Sequence, residues 1–199
     1  FYRIENMAKL LFLDVETTGT DPARHGIVQL SGIIEIDGIE KERFDYRLKP
    51  FPGDLVNPEA LKVNGLTMEQ IRGFEEPLTV YQECKVMIFK YIDRYDKKEK
   101  FHIVGYNSRF DDSFLRRLFE KCLDKFYGSY FWWPAIDVSN MAALKCINSR
   151  YEFKNFKLIT VAKAAGIEID PNKLHDAMYD VNITKELFYL LIEEKCFNK

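Results

Sequence analysis

The chain has 199 residues, of which 47% are hydrophobic and 30% are charged, and its formal net charge is −2. A chain of this length buries enough apolar surface to fold without disulfides or a structural metal, and its composition is ordinary for a globular protein. The near-zero charge argues against a protein that coats long duplexes, because such proteins gain affinity by neutralising many phosphates, but it permits one that holds the end of a single strand.

Three strands are predicted at the start of the chain. Residues 9–13 form a short apolar run typical of a central strand that is buried on both faces. Ile27–Ile36 is strand-like, and the Asp37-Gly38 pair that follows it is a strong signal for a hairpin turn. Residues 44–48 alternate between large apolar and polar side chains, as expected of a half-exposed partner strand.

Helices dominate the remainder of the chain. The spacing of apolar residues predicts helices over residues 79–95, 113–125, 158–165 and 176–193. Gly166 follows the third of these as a helix-ending residue, and residues 101–105 are predicted as one more short strand. Strands first, then alternating helices and strands, indicate an α/β domain with a mixed sheet covered by helices.

The four cysteines are far apart and form no C-x-x-C pair: Cys84, Cys122, Cys146 and Cys196. This spacing favours the reduced thiols of a cytoplasmic protein over a disulfide framework or a zinc site. No apolar run approaches the length of a membrane span, and no signal peptide is visible. Residues 1–6, which precede Met7, are either an added leader or a native extension, and residues 7–199 are expected to form one domain.

The first candidate site residues belong to LFLDVETTGT, residues 11–20. Asp14 and Glu16 are two positions apart and therefore face the same side of a strand. Carboxylates this close repel one another, and a divalent cation between them keeps both ionised. Their hard oxygen ligands suit Mg²⁺ or Mn²⁺. The alternative is an acidic surface turn without a ligand.

Two further stretches place acids where elements meet. In GYNSRFDDSFL, residues 105–115, Asp111 lies near a helix start, where its alternative role is a helix N-cap. In LHDAMYDVNITKELF, residues 174–188, His175 precedes Asp180 by five residues, so both can reach one site if a helix begins after Asp176. Taken singly, His175 is a surface loop residue and Asp180 an exposed helix acid.

Together these motifs resemble those of the DEDD, or DnaQ-like, family of 3′–5′ exonucleases, in its His-containing (DEDDh) subtype. The chain carries D-x-E at residues 14–16, N-x-x-F-D at residues 107–111 and H-x-A-x-x-D at residues 175–180. The resemblance runs from Leu11 to about Leu191. It implies a ribonuclease H-like fold, in which a mixed five-stranded sheet is flanked by helices and the acids gather at one sheet edge.

The resemblance also implies a mechanism. The residues expected to hold two Mg²⁺ or Mn²⁺ ions are Asp14, Glu16, Asp111 and Asp180. His175 is expected to act as the general base that accepts a proton from the attacking water, a task suited to an imidazole with an ordinary pKa of about 6.5. The expected substrate is the 3′ end of single-stranded DNA or RNA, and the expected product is a nucleoside 5′-monophosphate.

Six residues are expected to contact the substrate: Thr17, Thr18, Gly19, Leu66, Asn107 and Phe110. In the family, the turn after the first motif contacts the terminal nucleotide, and an apolar residue at the place of Leu66 wedges against the terminal bases. Asn64 stands where many relatives have His, which leaves any role of that His in doubt. The alternatives are a strand-ending turn for the two threonines and core packing for Leu66 and Phe110.

Some neighbouring residues have weaker signals. Arg109 and Lys173 are candidate phosphate neighbours. Trp132 and Trp133 are candidate stacking platforms, but their place just before Pro134, at a predicted strand entrance, favours packing.

The sequence favours an active exonuclease with a preference for DNA, because the first motif is closer to the proofreading-type members of the family than to the oligoribonuclease type. An RNA-trimming exoribonuclease is one alternative, and a module on the same fold that binds nucleic acid or protein without cleavage is another. All five catalytic positions are filled, which favours the enzyme. A polymerase partner is not evident, because no long tail follows Leu191.

Overall fold

The computed structural model describes residues 8–173, 176–193 and 196–197. Its sheet contains five strands: β1 Lys9–Thr17, β2 Ile27–Ile36, β3 Ile39–Arg47, β4 His102–Gly105 and β5 Ile136–Asp137. Their order across the sheet is β3-β2-β1-β4-β5, with β1 at the centre. β1 pairs antiparallel with β2 and parallel with β4, and β4 pairs parallel with β5. The predicted mixed five-stranded sheet is therefore confirmed.

The helices of the described residues cover both faces of this sheet. They are α1 Pro58–Val63, α2 Met68–Arg72, α3 Pro77–Tyr91, α4 Ser108–Lys121, α5 Tyr127–Tyr130, α6 Val138–Lys145, α7 Leu158–Ala164 and α8 Ala177–Ile192. Short 3₁₀ turns lie at Arg150–Glu152 and Pro171–Lys173. Helices α1, α2, α5 and α6 are 4 to 8 residues long and were not predicted, because an apolar period is not visible over so short a stretch.

Local turn chemistry explains the elements that were predicted well. Asp37 and Gly38 have φ values of 55° and 75°, the left-handed pair that a two-residue hairpin requires. Gly166 has φ 91° and ends α7 as expected. Asp176 caps α8, because its side chain accepts a hydrogen bond from the Tyr179 amide.

The start of α4 differs from its prediction, at residue 108 instead of residue 113. Asn107 adopts a left-handed conformation, with φ 63° and ψ 43°, and turns the chain sharply from β4 into the helix. Asp111 consequently lies inside the first turn of α4 and is not its N-cap. Helix α3 begins at Pro77, whose fixed φ suits the first helical position, and ends at Tyr91 instead of residue 95.

Strand β1 is buried on both faces, as predicted, and its side chains alternate between two apolar clusters. Leu11 and Leu13 pack into the cluster formed with α3 and α4. Leu10 and Phe12 pack on the opposite face, into the cluster formed with α6, α7 and α8. The Phe12 ring lies edge-on against Phe188 of α8, with centroids 5.4 Å apart. This contact fixes the position of α8 over the central strand.

Phe12→Ala is expected to lower the free energy of unfolding by about 3–5 kcal/mol, because it removes a fully buried ring and leaves a cavity between β1 and α8. Chemical denaturation followed by circular dichroism measures this loss. The control is Ile39→Ala, since Ile39 is 58% exposed and its truncation is expected to cost about 0.5 kcal/mol or less. Equal losses in the two variants would contradict the assignment of Phe12 to the core.

Candidate metal centre

Three carboxylates converge at the end of the central strand. Asp14 and Glu16 continue the face of β1 that carries Phe12, and Asp180 lies in the first turn of α8, opposite them. One carboxylate oxygen from each of the three acids lies within 4.8 Å of the other two. The strand period and the packing of α8 on β1 together produce this arrangement, and it matches the convergence that the motifs predicted.

Asp111 approaches the same strand end from α4. Its side chain is 3% exposed, and its Oδ1 accepts a hydrogen bond of 3.1 Å from the backbone N–H of Val15. Strand β4 pairs with β1 only as far as Phe12, so this N–H has no strand partner on that side. Gly105, at the end of β4, provides the space, because a Cβ there would lie 3.3 Å from Asp111 Oδ2.

Burial, together with neighbouring negative charges, raises the pKa of each of the four acids. Burial, followed by the charges of Asp111, Asp180 and Glu16, holds the pKa of Asp14 well above its usual range. Burial, followed by the negative charge of Asp180, raises the pKa of Glu16 to about 8, and nearby Arg47 offsets part of that rise. The cluster is therefore poor at holding its full negative charge without a cation.

Burial is also the main cause of the raised pKa values of Asp180 and Asp111. Burial raises the pKa of Asp180 to about 6, with a further contribution from Asp176. Burial also raises the pKa of Asp111, although the Val15 N–H lowers it in part.

The donor set fits a hard divalent cation. All of its ligand atoms are carboxylate oxygens, the kind that Mg²⁺ and Mn²⁺ prefer. Among the described residues, the buried Oδ1 of Asp180 has no hydrogen-bond partner. A bound cation satisfies such an atom and offsets the repulsion among the acids.

His175 lies outside the residues that the structure describes. The side chain of its neighbour Asp176 makes two further hydrogen bonds besides the one that caps α8. Asp176 Oδ2 accepts hydrogen bonds from Arg47 at 3.2 Å and from Gln29 at 3.4 Å. Sequence reasoning missed Gln29 and Arg47, and no local signal reveals them, because each is more than a hundred residues from Asp176 along the chain.

The turn after Glu16 is occupied by contacts within the protein. Thr18 is completely buried, and its hydroxyl donates to the Leu55 carbonyl at 2.6 Å and accepts from the Gly26 N–H at 3.0 Å. Thr17 is also buried, and its hydroxyl donates to the Gly19 carbonyl at 2.7 Å. These contacts favour the strand-ending turn over a substrate contact for the two threonine side chains.

Gly19, which was expected to contact the terminal nucleotide, lies against His25. The imidazole of His25 packs directly on it, and a Cβ at this position would overlap the ring. The absence of a side chain at Gly19 is thus explained by the close approach of His25.

Leu66 is half-buried and packs against a small cluster of Val28, Leu61 and Ile71. Core packing therefore accounts for part of its surface and leaves the rest accessible. Asn64, in the same segment, donates from Nδ2 to the Thr17 carbonyl at 3.0 Å, so this segment is tied to the end of β1.

The residues around the start of α4 are more open. Asn107 is exposed, and its backbone N–H donates to Asp137 Oδ1 at 3.0 Å. Phe110 is half-buried, with its ring centroid 4.8 Å from that of Phe114. Arg109 is exposed, whereas Lys173 lies 3.9 Å from the Asp170 carboxylate.

The two tryptophans behave differently. Trp132 stacks on His102, with ring centroids 6.0 Å apart, but it is 36% exposed, so the packing expectation holds for only one side of its ring. Trp133 is 80% exposed, so that expectation is wrong for Trp133. Phe131, Tyr127 and Tyr130 from the same segment already fill the adjacent core.

None of the helices that the structure describes combines the length and apolar character needed to cross a bilayer.

Asp14→Asn is expected to raise the melting temperature of the metal-free protein by about 2–8 °C, because it removes one buried negative charge from the cluster and relieves roughly 1–2 kcal/mol of repulsion. Added Mg²⁺ or Mn²⁺ is expected to raise the melting temperature of the unmodified chain, and the variant is expected to lose this rise. Thermal denaturation with EDTA or with added metal measures both effects.

The matched control is Glu186→Gln, an exposed acid on α8 away from the cluster. It is expected to leave both the metal-free melting temperature and the metal response unchanged. A metal response that survives in Asp14→Asn would rule out this site as the metal centre.

The chain matches the family model RNase_T, described as "Exonuclease", over residues 11–188. Ribonuclease T of Histophilus somni (strain 129Pt) is 27% identical over 191 residues, which cover 92% of this chain and 82% of that protein. Ribonuclease T of Shewanella sp. (strain MR-4) is 28% identical over 193 residues, which cover 90% of this chain and 80% of that protein.

Solved structures of E. coli Exonuclease I share the fold. The complex with a dT13 oligonucleotide matches 94% of this chain with 26% identity and a TM-score of 0.69. The zinc-bound form of an Exonuclease I–ssDNA complex matches 95% of this chain with 26% identity and a TM-score of 0.74. The chain spans 41% of the length of each of these proteins. The expected ribonuclease H-like fold is confirmed, and the chain belongs to the RNase_T family of exonucleases.

Proposed function

We propose that this chain is a divalent-metal-dependent 3′–5′ exonuclease that acts on the ends of single-stranded nucleic acids. One observation carries the proposal: in a member of an exonuclease family, Asp14, Glu16 and Asp180 bring carboxylate oxygens within 4.8 Å of one another. A binding module without catalysis has no need for buried acids that repel one another, so the geometry supports the enzyme over that alternative.

The four acids are the proposed holders of two Mg²⁺ or Mn²⁺ ions. Asp14 is at the centre of the cluster, with Glu16 and Asp180 beside it and Asp111 on the side of α4. When bound, the ions supply Lewis-acid stabilisation of the charge that develops on the oxygens of the phosphodiester. The protein's own contribution is to hold the acids in fixed positions by the packing of β1, α4 and α8.

His175 is the proposed general base, accepting the proton of the water that attacks the terminal phosphodiester. Support comes from its place in the sequence, one residue before Asp176, which Arg47 and Gln29 hold beside the cluster. The products are a nucleoside 5′-monophosphate and a strand shortened by one nucleotide at its 3′ end.

DNA is the proposed preferred substrate. The Exonuclease I structures that this chain resembles hold a dT13 oligonucleotide or ssDNA, which supports the preference. An RNA-trimming activity is the second candidate, because the sequence relatives are named Ribonuclease T. The four cysteines are free thiols in the structure, which supports a proposed site of action in a reducing compartment such as the cytoplasm.

The unmodified chain is expected to shorten a 5′-labelled single-stranded oligonucleotide stepwise from its 3′ end in Mg²⁺ or Mn²⁺, and Asp14→Asn is expected to lower this rate by about 10³-fold or more, because a metal ligand is lost. Gel electrophoresis of the products over time measures the rate. A matched RNA oligonucleotide in parallel decides between DNA and RNA. Intact substrate in every metal-containing reaction of the unmodified chain would overturn the proposed function.

His175→Ala is expected to lower kcat by about 10²–10⁴-fold, the range for loss of an acid–base group, while the metal-dependent rise in melting temperature remains. The matched control is Glu168→Gln, an exposed acid in the segment before His175. A decrease of less than about threefold in the His175 variant would exclude this residue as the base.

A further inference from the structure

A second concave surface lies beside the metal centre, on the far side of the first turn of α4. It is a groove of about 650 Å³ between α4 and the segment that enters α6. The lining residues used below are Arg109, Asp112, Arg116, Trp133 and Asp137. We refer to it as the Trp133 groove.

The Trp133 groove is adjacent to the metal centre through the geometry of α4. Asp111 turns inward to β1, while Arg109 and Asp112 on either side of it line the groove. The end of β5 is joined to the same turn, because the Asn107 N–H donates to Asp137 Oδ1 at 3.0 Å. A nucleic-acid strand whose end is held near Asp111 therefore has a single helical turn of α4 to cross before it reaches the groove.

Trp133 supplies a free aromatic face. It is 80% exposed, and within the described part of the chain its indole makes no ring contact with another aromatic residue. Trp132, by contrast, stacks on His102 and has Lys100 Nζ 4.7 Å from its ring centroid. An exposed indole beside a groove offers a surface on which a nucleic-acid base stacks regardless of sequence.

Two arginines at the groove are available to bind phosphate. Arg109 is exposed, and no ion pair engages it among the residues that the structure covers. Arg116 lies over the Tyr127 ring at 4.3 Å, so its guanidinium is held at the groove wall.

The acids of the groove already have hydrogen-bond donors within the protein. Asp112 accepts from the Tyr127 hydroxyl at 2.8 Å. Asp137 accepts from the backbone of Asn107 and from Ser139. The two arginines are thus the groups best placed to bind phosphate oxygens.

We propose that the Trp133 groove binds the nucleotides that lie on the 5′ side of the strand end held at the metal centre. A base stacks on Trp133, and Arg109 and Arg116 contact the phosphates that flank it. This inference rests on the proposed function, and it specifies that the chain recognises several nucleotides of a single strand and not the terminal one alone.

Trp133→Ala tests the proposal by comparing substrates of two lengths. The variant is expected to raise KM for a long single-stranded oligonucleotide by about 5- to 100-fold, the loss typical of one stacked base. It is expected to leave kcat/KM within about twofold for the p-nitrophenyl ester of a nucleoside 5′-monophosphate, a substrate that has no nucleotide on the 5′ side. Tyr151→Ala, which truncates another aromatic side chain that is 85% exposed, is the control and is expected to change neither value. A loss of similar size on both substrates would overturn the proposal, as would no loss on either.

A binding experiment separates this proposal from the proposed function. Fluorescence anisotropy of a labelled oligonucleotide in EDTA reports affinity without cleavage. Trp133→Ala is expected to weaken binding 5- to 100-fold, and Trp133→Phe is expected to restore most of it. Arg109→Ala is expected to make the slope of log affinity against log salt shallower by about 0.7, the value for one phosphate contact to a single strand. Unchanged binding by the Trp133→Ala variant would refute nucleotide binding in the groove, even if the unmodified chain proves to be a nuclease. Weakened binding would support it, even if no cleavage is seen.

Discussion

The packing of α8 against the central strand is the interaction on which the candidate site depends. Phe12 and Phe188 meet edge-on across this interface, and the strand alternation then places Asp14 on the same face as Phe12. Burial of apolar surface holds together side chains that repel one another, because the acids are attached to elements whose positions are fixed by the core. The free energy of apolar packing thus offsets the repulsion among the carboxylates, which would otherwise move apart.

Features with a local cause were predictable from the sequence. The buried central strand, the hairpin at Asp37 and the cap at Asp176 each follow from a few adjacent residues whose conformational preferences agree. The convergence of Asp14 and Asp180 was also predicted, from motifs that resemble those of one family, and the family itself is confirmed.

Features that depend on distant contacts were not predictable. The links from Arg47 and Gln29 to Asp176 join residues that only the folded sheet brings together. Thr18 belongs to a polar motif, yet its hydroxyl is taken up by Leu55, far along the chain. Trp133 is exposed although its type and position favoured packing, because neighbouring aromatic residues fill the available core volume.

The hydrogen bond between Asp111 and Val15 has a consequence for solubility. Strand β1 extends well past the end of β4, and an unprotected strand edge of this kind can pair with a strand from another molecule. The Asp111 carboxylate accepts a hydrogen bond from the Val15 N–H, so a candidate metal ligand also removes a free donor that another strand could pair with at that edge. Two properties of the fold, the approach of Asp111 to the candidate metal centre and the closing of this strand edge, are consequently joined in one side chain.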